Sequence, residues 1–84
     1  MMKNKQIQSL KTLPNYTMDL LFIGGEKRVY DFKPLMKRFD CFKSFKDQKG
    51  LFEKAQIDVG GYGVIWGDEL DIDANELFIN GKKV

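Results

Sequence analysis

Cys41 is the side chain that nucleophilic or redox chemistry would recruit first, and the chain gives it no base. The 84 residues hold one Cys and no His. That removes Ser-His-Asp and Cys-His arrangements. With a single thiol and no imidazole it also removes the zinc ligand sets. Lys37, Arg38 and Lys43 would activate an exposed thiol. The position of Cys41 between Asp40 and Phe42, beside an apolar stripe, points instead to packing. The acidic run offers calcium chemistry. Asp71-x-Asp73-x-Asn75 matches the first three ligand positions of an EF-hand loop. That loop needs Gly where Glu76 stands and Glu where Lys82 stands. Asp71 and Asp73 read better as helix-capping carboxylates. The glycines do not spell a dinucleotide fingerprint, because Trp66 stands where the last Gly belongs, and no Lys-Ser/Thr phosphate loop exists. A carboxylate pair for glycoside chemistry needs a cleft that so small a core does not foreshadow. The expectation is a protein that is not an enzyme and holds no metal or cofactor.

Nucleic-acid binding is the next chemistry to test. Leu21-Phe22-Ile23-Gly24-Gly25 and Gly61-Tyr62-Gly63-Val64-Ile65 resemble the strand signatures of RNA-recognition motifs, whose aromatics stack bases. Gly60 replaces the leading basic residue, and Val64 and Gly67 replace the later aromatics. Only 17 residues follow Gly67, too few for that fold's second helix and fourth strand. Gly24-Gly25 also leads straight into another strand-like segment rather than a helix.

Binding of a partner protein survives this elimination. The net charge is +2 but unevenly spread. Residues 27–54 carry nine Lys/Arg and four Asp/Glu, and residues 55–84 carry two and six. One reading is two solvated faces that favour solubility. The sharper reading is a basic docking face, with Lys37, Arg38, Lys43 and Lys46 steering a partner. Tyr62 and Trp66 are the candidate anchors, since Tyr and Trp are enriched at binding hot spots. Their bland alternative is burial in the core. The alternative function is a nucleic-acid accessory protein that uses the same basic segment, 27–54.

These residues need elements to position them. Tyr16 to Ile23 reads as a strand with Met18, Leu20 and Phe22 on one face; the other face is itself mostly apolar, so both are partly covered at the Ile23 end. Gly24-Gly25 sits at a hairpin turn, and Lys27 to Phe32 returns as its partner. Pro34 predicts a helix start at Pro34, with Leu35, Phe39 and Phe42 as one apolar stripe. Asp47 can cap a short turn ending near Leu51-Phe52, with Phe45 and Phe52 in the core. Ala55, Ile57 and Val59 alternate as a half-buried strand, and Gly60-Gly61 is a two-residue hairpin signal. Tyr62, Val64 and Trp66 follow on the return strand. Gly63 within it marks a bulge or a close backbone approach. Gly67-Asp68 ends that strand. Asp73-Ala74-Asn75-Glu76 has capping-box spacing, with the Asp73 carboxylate accepting from the Glu76 N–H, before a helix that buries Leu77 and Phe78. Asn80-Gly81 ends it, and Lys82-Lys83 suits its negative end. Residues 1–13 allow a helix, a short strand or a frayed end, closed by a turn at Pro14-Asn15.

The predicted fold is therefore α+β: a small single domain over 1–84, built of antiparallel β-hairpins with one or two short helices between them and a short C-terminal helix. A lone free thiol points to a reducing cytoplasm. The basic start Met1-Met2-Lys3 leads into no apolar signal region, and the run Leu20 to Ile23 is too short to span a bilayer. Exposed hairpin edges allow a dimer by strand pairing without requiring one.

The strand ending in Phe22, Gly25-Glu26, Asp31, Leu51-Phe52, Ile57-Asp58, Trp66 and Asp71-Ile72-x-x-x-Glu76-Leu77-Phe78 together resemble the bacterial family known as domain of unknown function 2442. The resemblance spans residues 7–79, and its closing pattern is the most specific part. The family's usual Pro near the start of the last helix is replaced by Ala74 and Asn75. The resemblance implies a small α+β fold in a bacterial cytoplasm with no established activity and no known catalytic residues. Some relatives continue into a helix-turn-helix domain, for which this chain has no residues. Others lie beside genes for small partner proteins. That implies a non-catalytic interaction or regulatory module, such as the antitoxin-like half of a two-gene pair, whose partner is another small protein.

Overall fold

The computed structural model describes residues 4–84; the basic start at residues 1–3 lies outside the described residues. Two antiparallel sheets carry the chain. The first has the order β1 (Ile7–Leu13), β2 (Thr17–Phe22), β3 (Lys27–Asp31) and β7 (Lys82–Lys83). The second is β4 (Gln56–Ile57), β5 (Gly63–Trp66) and β6 (Leu70–Asp73). Helices α1 (Lys33–Arg38) and α2 (Asp40–Asp47) join the sheets, and α3 (Ala74–Asn80) follows the second. The antiparallel α+β architecture expected from the sequence is the one found.

The open reading of the N-terminal stretch resolves as a seven-residue strand whose Leu10 faces Leu20 and whose Leu13 faces Thr17. Period-2 burial explains β2, where Met18, Leu20 and Phe22 are all buried. Ile23, expected to be partly covered, is 59% exposed, because the chain turns away there through Gly24 (φ 104°) and Gly25 (φ 96°).

The helix expected from Pro34 begins one residue earlier and breaks in two. Phe39 sits at φ −125° and ψ 122°, between α1 and α2. The break undoes the Leu35-Phe39-Phe42 stripe. Phe39 is exposed, while Met36, Phe42 and Phe45 turn inward. Cys41, expected to pack, is exposed beside the break. Asp47 is the last residue of α2 rather than a cap for the next turn, which closes through the Leu51 N–H on the Gln48 carbonyl.

Phe32 lies at the centre of the core. Its ring meets Tyr30 at 4.7 Å, Phe52 at 5.4 Å, Trp66 at 5.6 Å and Phe45 at 5.9 Å, all near edge-to-face. Such pairs add about 0.5–1.5 kcal/mol each beyond the area they bury.

The second sheet departs most from expectation. The strand expected over Ala55–Val59 shrinks to two residues. The Asp58 carboxylate accepts from the Val59 N–H at 2.7 Å and turns the chain into a short 3-10 turn, Val59–Gly61, leaving Val59 93% exposed. Gly60-Gly61 therefore belongs to that turn and is not a two-residue hairpin. The stretch after Gly67 forms β6, a strand that sequence reading passed over in favour of helix caps. Leu70 and Ile72 bury while Asp71 and Asp73 face solvent. Gly63 makes the close approach its position foretold: a Cβ there would lie 2.9 Å from the Ile72 carbonyl oxygen.

Asp73 does cap α3, but it accepts from the Asn75 N–H at 3.0 Å rather than from Glu76. Glu76 instead accepts from the Tyr30 hydroxyl at 2.8 Å and from the Asn80 amide at 2.9 Å, tying α3 to β3. Lys82 and Lys83 directly follow the Gly81 C-cap of α3, and their backbone forms β7, pairing with Val29 and Arg28. No helix among the described residues is long and apolar enough to cross a membrane.

Candidate functional site

Three of the four proposed steering charges converge in one place. The β1–β2 turn stands opposite α1 and α2, and the space between them is a groove of about 670 Å³. Its rim carries Lys33, Lys37, Lys43 and Lys46; Met36 and Tyr16 give it an apolar floor. The helix spacing builds the rim. Lys33 and Lys37 are four residues apart around α1, and Lys43 and Lys46 three apart on α2, so each pair shares a helix face.

The floor is held from below. Met36 is 5% exposed. Tyr16 packs edge-on against Phe52 with ring centroids 5.7 Å apart. Tyr16 and its neighbour Asn15 take left-handed backbone, φ 58° and 64°. Asn tolerates that conformation, whereas for a bulky Tyr it is an outlier. The turn holds because the Tyr16 carbonyl accepts from the Phe32 N–H at 2.9 Å and the Asn15 carbonyl accepts from the Lys33 ammonium at 2.6 Å.

The four lysines are not equivalent. Lys33 is committed to the fold: its ammonium lies 2.9 Å from the Asp31 carboxylate, which also accepts from the Lys33 backbone N–H at 2.9 Å. Partial burial pushes the Asp31 carboxyl upward, but the Lys33 N–H and ammonium outweigh it, Lys37 adds to them, and the net result lies below the usual value. Lys43 pairs with Asp40 at 3.0 Å in a largely exposed bridge that water and salt weaken. Lys37 and Lys46 have no carboxylate within 4.0 Å among the described residues. The groove thus offers uncommitted ammonium groups above an apolar floor, with Asp47 as the single carboxylate on its lining. That combination is chemically suited to an anion attached to something apolar. No group of three metal-ligating side chains occurs among the described residues.

The remaining predicted residues lie elsewhere. Arg38 is outside the groove, with its guanidinium 5.4 Å from the Phe39 ring. Trp66 is 2% exposed and its indole N–H donates to the Phe52 carbonyl, so it belongs to the core and presents no surface to a partner. Tyr62 is 48% exposed and flanks a second hollow with Asp58, Asp71 and Asp73. The expectation that Tyr62 and Trp66 share one strand face fails, because β5 begins only at Gly63. Sequence reading missed Tyr16, Met36 and Lys33. The lysine spacing was there to be read, but nothing in the sequence announces that a Tyr will take positive φ.

A family model described as "Protein of unknown function (DUF2442)" matches residues 7–83, nearly the whole chain and as far as β7. No curated protein and no solved structure matches the chain.

Proposed function

Because this chain belongs to the DUF2442 family, whose description assigns no activity, we propose its function from the groove: it is a non-catalytic interaction module that captures an acidic segment of a small partner protein. The observation that carries this reading is the pairing of uncommitted Lys37 and Lys46 with the buried apolar floor of Met36. Free surface lysines alone would be solvated charge. Set over an apolar floor, they attract a carboxylate-bearing chain and give its apolar side chain somewhere to go. The groove's size lies within the range of roughly 300–1,000 Å³ usual for binding sites. Its lining holds no His, Ser, Thr or Cys, which favours binding over turnover.

The test is a tagged pull-down from native lysate, run with and without nuclease, using the natural protein and a Lys37→Glu/Lys46→Glu variant. The reading expects one protein retained in both nuclease arms by the natural chain and lost by the variant. Capture that disappears with nuclease would replace this reading with nucleic-acid binding by the same lysines.

A further inference from the structure

The hollow beside Tyr62 is the chemical complement of the lysine groove. It measures about 270 Å³, and Asp58, Asp71 and Asp73 line it together with Tyr62. All three carboxylates are exposed, and none has a Lys or Arg within 4.0 Å among the described residues. Two of them are fixed in place: Asp58 accepts from the Val59 N–H and Asp73 from the Asn75 N–H. Tyr62 is half exposed and Val59 almost fully so. This face therefore presents two exposed groups, aromatic Tyr62 and apolar Val59, beside three carboxylates. The groove presents an apolar floor rimmed by three lysines not committed to the turn.

The two faces cannot satisfy each other within one chain. Asn4 lines the acidic hollow and Asn15 lines the groove, and they flank opposite ends of β1. A seven-residue strand holds such sites roughly 20 Å apart. That exceeds the screening length of about 8 Å at physiological salt. The charge separation is left available to a second molecule.

We propose that the chain self-associates head to tail, the Tyr62 face of one copy seated in the Lys37-Lys43-Lys46 groove of the next. This rests on the groove being a docking surface, as argued above, and makes a second copy an occupant that competes with the partner protein. The contact is heterologous, so each assembly keeps one free groove at one end and one free acidic face at the other, and growth continues unless a ring closes.

The experiment is analytical ultracentrifugation of the purified chain over a concentration series. One variant, Asp58→Asn/Asp71→Asn/Asp73→Asn, removes the three carboxylates while Asn keeps the two capping roles. A second, Lys37→Glu/Lys43→Glu/Lys46→Glu, disables the groove. Circular dichroism checks that both fold. The natural chain should show concentration-dependent association that weakens at least roughly tenfold between about 0.1 M and about 1 M salt, as screening shortens. Each variant alone should be monomeric. A mixture of the two should form a one-to-one complex, because the first retains its groove and its Tyr62, and reversed charge in the second leaves its acidic face intact. The groove of the asparagine variant meets that acidic face directly. A natural chain that stays monomeric at every concentration at low salt would overturn the proposal, as would association that neither variant disturbs. Partner capture in lysate is read separately, so a monomeric chain that still loses its partner through Lys37→Glu/Lys46→Glu would refute self-association while leaving the docking groove in place.

Discussion

The indole N–H of Trp66 donates to the backbone carbonyl of Phe52 across 3.0 Å, inside the core. The two rings lie nearly parallel, 6.3 Å apart, and Phe45 closes on Trp66 at 4.9 Å. The bond joins β5 to the turn that follows α2, and so holds the helical layer, with its lysines, against the second sheet.

Truncating Trp66 should therefore act on the fold. Trp66→Ala removes about 3–5 kcal/mol, comparable to the whole net stability of roughly 3–5 kcal/mol that a domain this small commands. The variant should be unfolded by circular dichroism at room temperature. Trp66→Phe keeps most of the packing but removes the indole bond and leaves the Phe52 carbonyl with only the Ala55 N–H at 3.3 Å, at about 1 kcal/mol; urea titration should show a lower midpoint with an unchanged slope. A folded Trp66→Ala protein would show that the core does not depend on this residue.

The glycines should separate by what their surroundings allow. A Cβ on Gly61 would meet the Ile7 carbonyl oxygen at 2.8 Å, and its φ is 81°. A Cβ on Gly24 would meet nothing within 4 Å, although its φ is 104°. Gly24→Ala should cost about 1–2 kcal/mol, from left-handed backbone alone. Gly61→Ala should add about 1–3 kcal/mol of overpacking, because backbone cannot step aside. Equal midpoints in urea would contradict the close approach of β1 to this turn.

How far the sequence could be read follows the same division between local and distant causes. Alternation marked β2 and β3, and Gly24-Gly25 marked their turn, because those signals sit within a few residues. Leu70 and Ile72 alternate with Asp71 and Asp73 just as plainly, yet the acids drew the reading toward caps and the strand was missed. The break at Phe39 has no local signal. It follows from Phe42 and Phe45 having to reach Phe32 and Trp66, contacts made across the core. The groove was half legible: lysine spacing gave its rim, but the floor needed a strained turn whose Asn15 lies 18 residues before Lys33 at the start of α1.

Stability should also fall at high pH through Tyr30. Burial, and then the Glu76 carboxylate that its hydroxyl donates to, push the phenol well above its ordinary value of 10.0. A phenol held protonated in the folded state contributes stability that is fully present below pH 10 or so, the unfolded value. That stability is lost as pH rises from there toward the folded value. Tyr30→Phe should be less stable than the natural chain at neutral pH by about 1 kcal/mol, for one buried hydrogen bond. Its stability should decline less steeply above pH 10. Parallel decline of the two proteins in thermal melts would show that Tyr30 does not govern the alkaline limb.

At low pH the controlling pair is Asp31 and Lys33, and here the groove and the fold meet. Asp31 is held below its ordinary value of 3.8, chiefly by the Lys33 N–H and ammonium acting against partial burial. A depressed carboxyl contributes stability that is present above the unfolded value and lost as pH falls through the folded one. Lys33→Ala should raise the Asp31 carboxyl toward its ordinary value and flatten the fall in stability below pH 4 or so. The same substitution frees the Asn15 carbonyl from its 2.6 Å bond and loosens the turn that places Tyr16 on the groove floor. Lys46→Ala, with no carboxylate to release, should leave the acid limb unchanged and stability within about 0.5 kcal/mol. If partner capture is measured alongside, Lys46→Ala should slow association and reduce its salt dependence. Lys33→Ala should instead weaken binding in a way that high salt does not hide, because what it removes is the shape of the floor.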